Sequence, residues 1–322
     1  MTSFDKTGED FLGRLNEALQ VGEQGFSEGN AAPQRPLVLV VGPPRSGTTV
    51  TMQWLSTLGF GVPTNLLARM YRAPHLGGLI QNLLTDPSYN YRNELDVWSG
   101  EEYQSEAGKT NGLLAPHEFF YFWRQYIPLD VARPLRDDEF ARADIQGFAS
   151  GLARLESALD KPLAMKGILA QYDLRLLDEH LPTAVYFRTI RDEVDNVESL
   201  LRIRSKVHGS EEEWFSVRPR GSDLVDDEEP VIQAAAQVAW TNDDLTNQLE
   251  RLPKARVMSV DHAEFCRSPE SVYEELTAKC ASLGADLKPY SGARSFTENK
   301  RNSYREVEIK EALDYVRSIE RG

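Results

Sequence analysis

Cysteine, histidine, excess positive charge and long apolar runs are all scarce in this chain, and each shortage removes a class of protein. The two cysteines, Cys266 and Cys280, stand fourteen positions apart with no metal-ligand pattern. Free buried thiols are expected rather than a disulfide. The five histidines are scattered, so no metal site is expected. No apolar run approaches the roughly 20 residues that span a bilayer, and the polar, acidic N-terminus has no signal-like apolar core. A soluble, cytoplasmic protein without a membrane span is the expectation. Lys and Arg number 36 against 50 Asp and Glu, a net charge of −14. A broad grip on nucleic acid needs clustered cations, so no nucleic-acid partner is expected. No internal repeat or low-complexity tract is present. What remains is 322 residues, 41% hydrophobic, enough to bury a sizeable core.

The stretch from Pro36 to Leu58, PLVLVVGPPRSGTTVTMQWLSTL, organises the rest. Leu37 to Val41 form an uninterrupted apolar run, as suits a strand covered on both faces. Gly42 to Thr49 make a Gly/Pro-rich turn, and Met52, Leu55 and Leu58 then recur at helical spacing. A strand, a glycine turn and a helix start form an anion cradle, because unpaired N–H groups and the helix dipole both face the turn. Gly42, Gly47 and Thr49 fit the nucleotide P-loop spacing, but Thr48 stands where its lysine belongs. That lysine neutralises a transferring γ-phosphoryl group. The loop is equipped to hold a phosphate and poorly equipped to transfer one.

GPPRSGTT also resembles the 5′-phosphosulfate loop of the sulfotransferases that use 3′-phosphoadenosine 5′-phosphosulfate (PAPS). Pro44, Arg45, Ser46, Gly47, Thr48 and Thr49 match the form P-[KR]-S-G-T-[TS] one for one. A second match lies in VYFRTIRDEVDNVESLLRIR. There Arg191 ends a strand and Ser199 follows eight positions on inside a helix, similar to the family's 3′-phosphate motif. Arg191, Asp192, Asp195 and Ser199 match it, while Glu193 replaces the usual proline. A guanidinium and a hydroxyl converging on one phosphate form charge-assisted hydrogen bonds. RVMSVDHAEFCRSPESVYEELTAKCASLG is similar in layout to a further family segment, with Asp261 and His262 in place of its Tyr-Glu pair. By the same resemblance Lys300 and Arg301, in a basic loop before the last helix, would close over the 3′-phosphate.

The resemblance implies PAPS as co-substrate, 3′-phosphoadenosine 5′-phosphate as product, and no required metal. Arg45 takes the loop's cationic role in that reading. PLAMKGIL resembles the family strand end F-x-K-[TS]-H: Lys166 matches the lysine that stabilises the leaving group, but Ile168 occupies the place of the basic histidine. The replacement base is sought in LLAPHEFF, at His117 and Glu118, with His75 second.

The fold expected is α/β: a P-loop-like parallel sheet flanked by helices, since strands and helices alternate. Residues 1–35 read as a leader helix and linker. Residues 36–322 read as one domain, with a largely helical and loop insertion at about 64–150 closing over the acceptor site. Phe119 to Trp123 read as its anchoring helix, and 141–160 and 171–181 as helices. Strands are expected over 162–169, 183–191 and 256–261, with Asp192 capping the helix after the second. Trp240 reads as core. Two rivals remain. A P-loop kinase or NTPase would use Asp261 to bind magnesium; a silent homologue would bind the bisphosphate nucleotide without turnover. The expected partner is a small-molecule, glycan or lipid acceptor. Oligomeric state is open, a homodimer included.

Overall fold

The computed structural model describes residues 6–26, 29–89, 105–106, 108–298 and 305–321. Among the described residues the main sheet holds four parallel strands: β1 (Leu37–Val41), β4 (Leu163–Lys166), β5 (Ala184–Ile190) and β6 (Val257–Asp261), in the order β4-β1-β5-β6. Between β1 and β4 lies an antiparallel pair of two-residue strands, β2 (Ser105–Glu106) and β3 (Lys109–Thr110). The helices of the first half are α1 (Lys6–Glu23), α2 (Thr48–Thr57), α3 (Pro74–Thr85), α4 (Phe120–Trp123), α5 (Asp137–Arg142) and α6 (Ile145–Leu159). Those of the second half are α7 (Leu174–Asp178), α8 (Glu193–His208), α9 (Pro230–Leu249), α10 (His262–Arg267), α11 (Pro269–Ser282) and α12 (Glu306–Ser318).

β1 is apolar throughout because it is paired on both edges and covered on both faces. Its residues run beside Leu163–Lys166 on one side and Ala184–Arg188 on the other. Leu37, Leu39 and Val41 pack with Phe122, Phe148 and Leu152 of α4 and α6. Val38 and Val40 pack with Met52 and Leu55 of α2 and Leu276 of α11. All five β1 side chains are fully buried, so Leu39→Ala would cost about 2–5 kcal/mol. A third cluster joins α8, α9 and α12 around Leu200, Trp240 and Leu313. Trp240 is core, as its sequence setting suggested, with its indole N–H on the Val316 carbonyl at 3.2 Å.

Local competition explains where the elements depart from expectation. The helix expected over 141–160 is broken, because the Asp144 carboxylate accepts the Gly147 N–H at 2.8 Å and starts α6 afresh. The helix expected over 171–181 shrinks to α7. The carboxylate that could have capped it, Asp173, accepts the Leu135 N–H instead, at 3.0 Å. α1 is seated rather than loose: Asn16 donates to the Arg69 carbonyl at 2.8 Å. The Glu23 carboxylate accepts the N–H groups of His75 and Leu76 at 3.0 and 3.1 Å. It thereby serves as a remote cap on α3, favoured by that helix's dipole.

Because all four strands of this sheet are parallel, their C-terminal ends share one edge. Gly42, Lys166, Arg191 and His262 arrive there from four separate parts of the sequence. Such an edge is where open parallel sheets bind ligands.

Candidate active site

The turn after β1 is held in a shape that few residues tolerate. Gly47 sits at φ +108°, and a Cβ there would lie 2.5 Å from His262 Nδ1. At Gly42 a Cβ would lie 2.4 Å from Thr189 Oγ1. Arg45 is left-handed at φ +69°, a conformation that costs a non-glycine residue about 1–2 kcal/mol. Neighbouring elements hold it there. Arg191 Nη1 donates to the Arg45 carbonyl at 3.1 Å, and Asn196 Nδ2 to the Pro44 carbonyl at 2.6 Å. Ser46 Oγ donates to the Pro43 carbonyl at 2.8 Å and shares a 2.6 Å hydrogen bond with Thr189 Oγ1. Gln171 Oε1 accepts the Gly42 N–H at 3.1 Å. No side chain caps α2 at Gly47, which leaves the first-turn N–H groups for an anion.

Positive charge gathers beside this cradle. Asp192 caps α8 by accepting the Asp195 N–H at 3.0 Å, which fixes the helix that carries Ser199. Arg45 Nε donates to Ser199 Oγ at 3.3 Å. Burial first, then repulsion from Arg191 and Arg202, lowers the Arg45 proton affinity below the guanidinium norm. Burial does the same to Arg191, against the pull of Asp195. Guanidinium groups remain charged under such shifts, so this end of the site stays cationic. Lys300 and Arg301 lie outside the described residues.

A small cavity opens on the other side of the loop, lined by Thr49, Met52, Gly108, Thr110, Pro116, His117 and Lys166. Lys166, at the end of β4 and 5% exposed, donates to Glu118 Oε1 at 2.8 Å and to Thr49 Oγ1 at 3.0 Å. Thr49 Oγ1 in turn donates to the Gly108 carbonyl at 3.3 Å. The described part of the segment after α3 thus closes on the loop. His117 Nδ1 accepts the Phe119 N–H at 2.9 Å, which assigns the neutral ring's hydrogen to Nε2. Burial pushes its pKa down to about 4, so the ring is uncharged at neutral pH.

The sequence matches the Sulfotransferase family over residues 36–286, a span that contains the loop, Lys166 and the Arg191–Ser199 pair. The chain belongs to the sulfotransferase family. Sulfotransferase STF9 from Mycobacterium avium shares the fold at 18% identity and a TM-score of 0.52, over 88% of this chain and 75% of that one. Sulfotransferase STF1 from Mycobacterium tuberculosis H37Rv aligns at 15% identity and a TM-score of 0.47, over 79% of this chain and 71% of that one. No curated protein matches the sequence.

In this sulfotransferase the residues singled out by sequence fall into two connected groups. Pro44 to Thr49, Arg191 and Ser199 meet at the loop; Lys166, His117 and Glu118 meet beside Thr49. His75 is elsewhere: its ring stacks on Phe26 at 4.2 Å, and its Nδ1 lies 3.2 Å from the Arg154 carbonyl. It packs α3 against its neighbours. Ile168 is buried in the core. Asp261 accepts the Glu264 N–H at 3.0 Å as the cap of α10. Among the described residues no group of three or more His, Cys, Asp or Glu side chains could hold a metal ion. None of their helices is long and apolar enough to cross a membrane.

Gln171, Thr189 and Asn196 hold the loop by hydrogen bonds and His262 packs against Gly47, roles that the sequence did not single out. Each reaches the loop from at least a hundred positions away. The only local signal was at Asn196, one turn before Ser199 on α8.

Proposed function

We propose that this sulfotransferase transfers the sulfuryl group of PAPS to a hydroxyl or amine of a small-molecule, glycan or lipid acceptor. The observation that carries the reading is the junction of Arg45, Ser199 and Arg191. A phosphate cradle at a helix N-terminus is common, but here a hydroxyl and two guanidinium groups adjoin it. One end of an adenosine bisphosphate suits the loop, and the other suits that cluster. At both glycines a Cβ would collide with Thr189 or His262, so packing inside the protein keeps the loop backbone in this shape.

The donor supplies, when bound, an activated sulfuryl group with a phosphate as its leaving group. The chain's own residues do the rest. First-turn N–H groups of α2 and the Arg45 guanidinium neutralise the 5′-phosphate; Arg191 and Ser199 take the 3′-phosphate. Lys166, fixed between Thr49 and Glu118, stabilises charge that develops on the leaving oxygen. Glu118, whose carboxylate pairs with Lys166, is the assigned base. His117 has Nδ1 engaged and its hydrogen on Nε2, so it donates to the acceptor and orients it, while the adjacent carboxylate takes the proton.

The cavity mixes Met52 and Pro116 with polar groups, and the chain carries a net charge of −14. Both favour a partly apolar alcohol or phenol over a polyanionic glycan. A soluble cytoplasmic enzyme suits the two free, buried thiols. The test is an acceptor screen with sulfur-labelled PAPS, counting transferred label. Label on a hydroxyl acceptor supports the reading. Bisphosphate binding without transfer to any acceptor would mark a silent homologue instead.

A further inference from the structure

We propose that His262 is a further binding residue for the donor nucleotide, taking up a proton as an adenosine bisphosphate binds and holding a phosphate oxygen as imidazolium. The inference rests on the donor site described under Proposed function and adds a residue to it.

The position follows from topology. His262 is the first residue of α10, directly after β6, and so stands on the ligand edge of the sheet. Its ring lies against the loop backbone: a Cβ on Gly47 would be 2.5 Å from Nδ1 and 3.0 Å from the neighbouring ring carbon Cε1. That backbone is the N-terminus of α2, where an anion is expected. The ring is half-buried, and its recorded polar contact is a weak one, with Cys266 Sγ 3.7 Å from Nε2 and 4.0 Å from Nδ1. Among the described residues, no oxygen or nitrogen is recorded as a hydrogen-bond partner of either ring nitrogen. A polar ring beside a phosphate cradle, with no fixed strong partner, is available to a ligand.

The surrounding charge sets the direction of the proton. Burial is the largest influence on His262 and disfavours the imidazolium; Arg191, at the end of β5, disfavours it next. The positive end of α2 acts in the same sense. Glu298, in the C-terminal loop, and Asp261, on the preceding residue, act against them. Cys266, on the following turn, has its thiol pushed up by burial and then by Glu298, and so stays neutral. A nucleotide carrying two phosphates brings negative charge to Arg191 and to the α2 terminus together. The electrostatic influences of Arg191 and the α2 terminus are offset, and a phosphate oxygen at the ring outweighs its burial, so the bound state favours the charged imidazole. The proton comes from solvent. By linkage, affinity must then rise as pH falls, with a limit of about tenfold per pH unit for one proton.

The experiment is calorimetric titration of the full chain with adenosine 3′,5′-bisphosphate at about pH 6 and pH 8, in buffers of different ionisation enthalpy. The ligand's own phosphates titrate near pH 6, so wild type is compared with His262→Gln, which keeps hydrogen-bonding capacity but cannot charge. Wild type should take up more protons than His262→Gln. The variant should bind roughly 5- to 30-fold more weakly at the lower pH, with the gap closing at the higher. Cys266→Ser should behave as wild type. Should His262→Gln fold poorly, His262→Asn replaces it, and imidazole C2–H resonances of wild type give a direct reading. One should titrate at higher pH when the site is saturated, and no such shift would overturn the proposal. Equal proton uptake and affinity in wild type and variant would also overturn it, leaving the donor reading intact. No bisphosphate binding at all would sink the donor reading and this inference with it.

Discussion

Truncating Arg191 to alanine should penalise adenosine 3′,5′-bisphosphate more than adenosine 5′-monophosphate. The guanidinium has two assigned tasks. One is seen directly, the 3.1 Å hydrogen bond from Nη1 to the Arg45 carbonyl that steadies the loop. Its loss removes a hydrogen bond from a charged donor, worth about 1.5–3 kcal/mol, and weakens both nucleotides alike. The other is the charged contact with the 3′-phosphate, worth about 1.5–3 kcal/mol and available only to the bisphosphate. The expected losses are therefore about 13- to 160-fold for the monophosphate and about 160- to 25,000-fold for the bisphosphate. Titration of each nucleotide into wild type and Arg191→Ala at one ionic strength reads both numbers, and a thermal melt checks that the variant is folded. Equal losses for the two nucleotides would refute the assigned 3′ contact and leave Arg191 as a support for the loop alone.

Glu118→Gln should lower turnover about 10²- to 10⁴-fold with little change in donor affinity, whereas His117→Ala should act mainly on acceptor KM. Steady-state kinetics with a responsive acceptor separate the two, and near-normal turnover in both would remove the pair from the mechanism. Acid should destabilise the fold in a window set by His117, whose pKa is lowered from 6.5 to about 4. Between those values the unfolded chain binds a proton that the native ring refuses, so stability falls with pH by up to about 1.4 kcal/mol per unit. Urea melts at several pH values should show a shallower decline in His117→Gln; an identical decline would exclude the ring as its cause. Gly47→Ala, which combines φ +108° with a Cβ 2.5 Å from His262, should cost about 2–4 kcal/mol and abolish bisphosphate binding. A melt and a titration test both, and wild-type behaviour in each would contradict the loop geometry.

The parts of the site legible in the sequence were those written in adjacent residues. Leu37 to Val41 announced a covered strand because every side chain there is apolar. Gly42 to Thr49 and the Arg191–Ser199 spacing announced anion pockets, since backbone shape and helix phase are local properties. Asp192 as the cap of α8 was legible for the same reason. The break at Asp144 was also written there, as an aspartate before an apolar residue, but a continuous periodic pattern masked it. What could not be read was the support of the loop. Gln171, Thr189 and Asn196 reach it by hydrogen bonds across more than a hundred positions, and nothing in a neutral polar side chain's neighbours says which distant group it will meet. The pairing of Glu118 with Lys166 was open for the same reason. Each residue was a candidate, but only the fold decides that they stand 2.8 Å apart.

The most direct test of the central claim is the affinity of the wild-type chain for adenosine 3′,5′-bisphosphate against that for adenosine 5′-monophosphate. Two anion pockets joined at Arg45 predict saturable binding at one site, with the bisphosphate at least about tenfold tighter because its second phosphate adds a charged contact. Equal affinity for the two nucleotides, or no binding of either, would contradict the account.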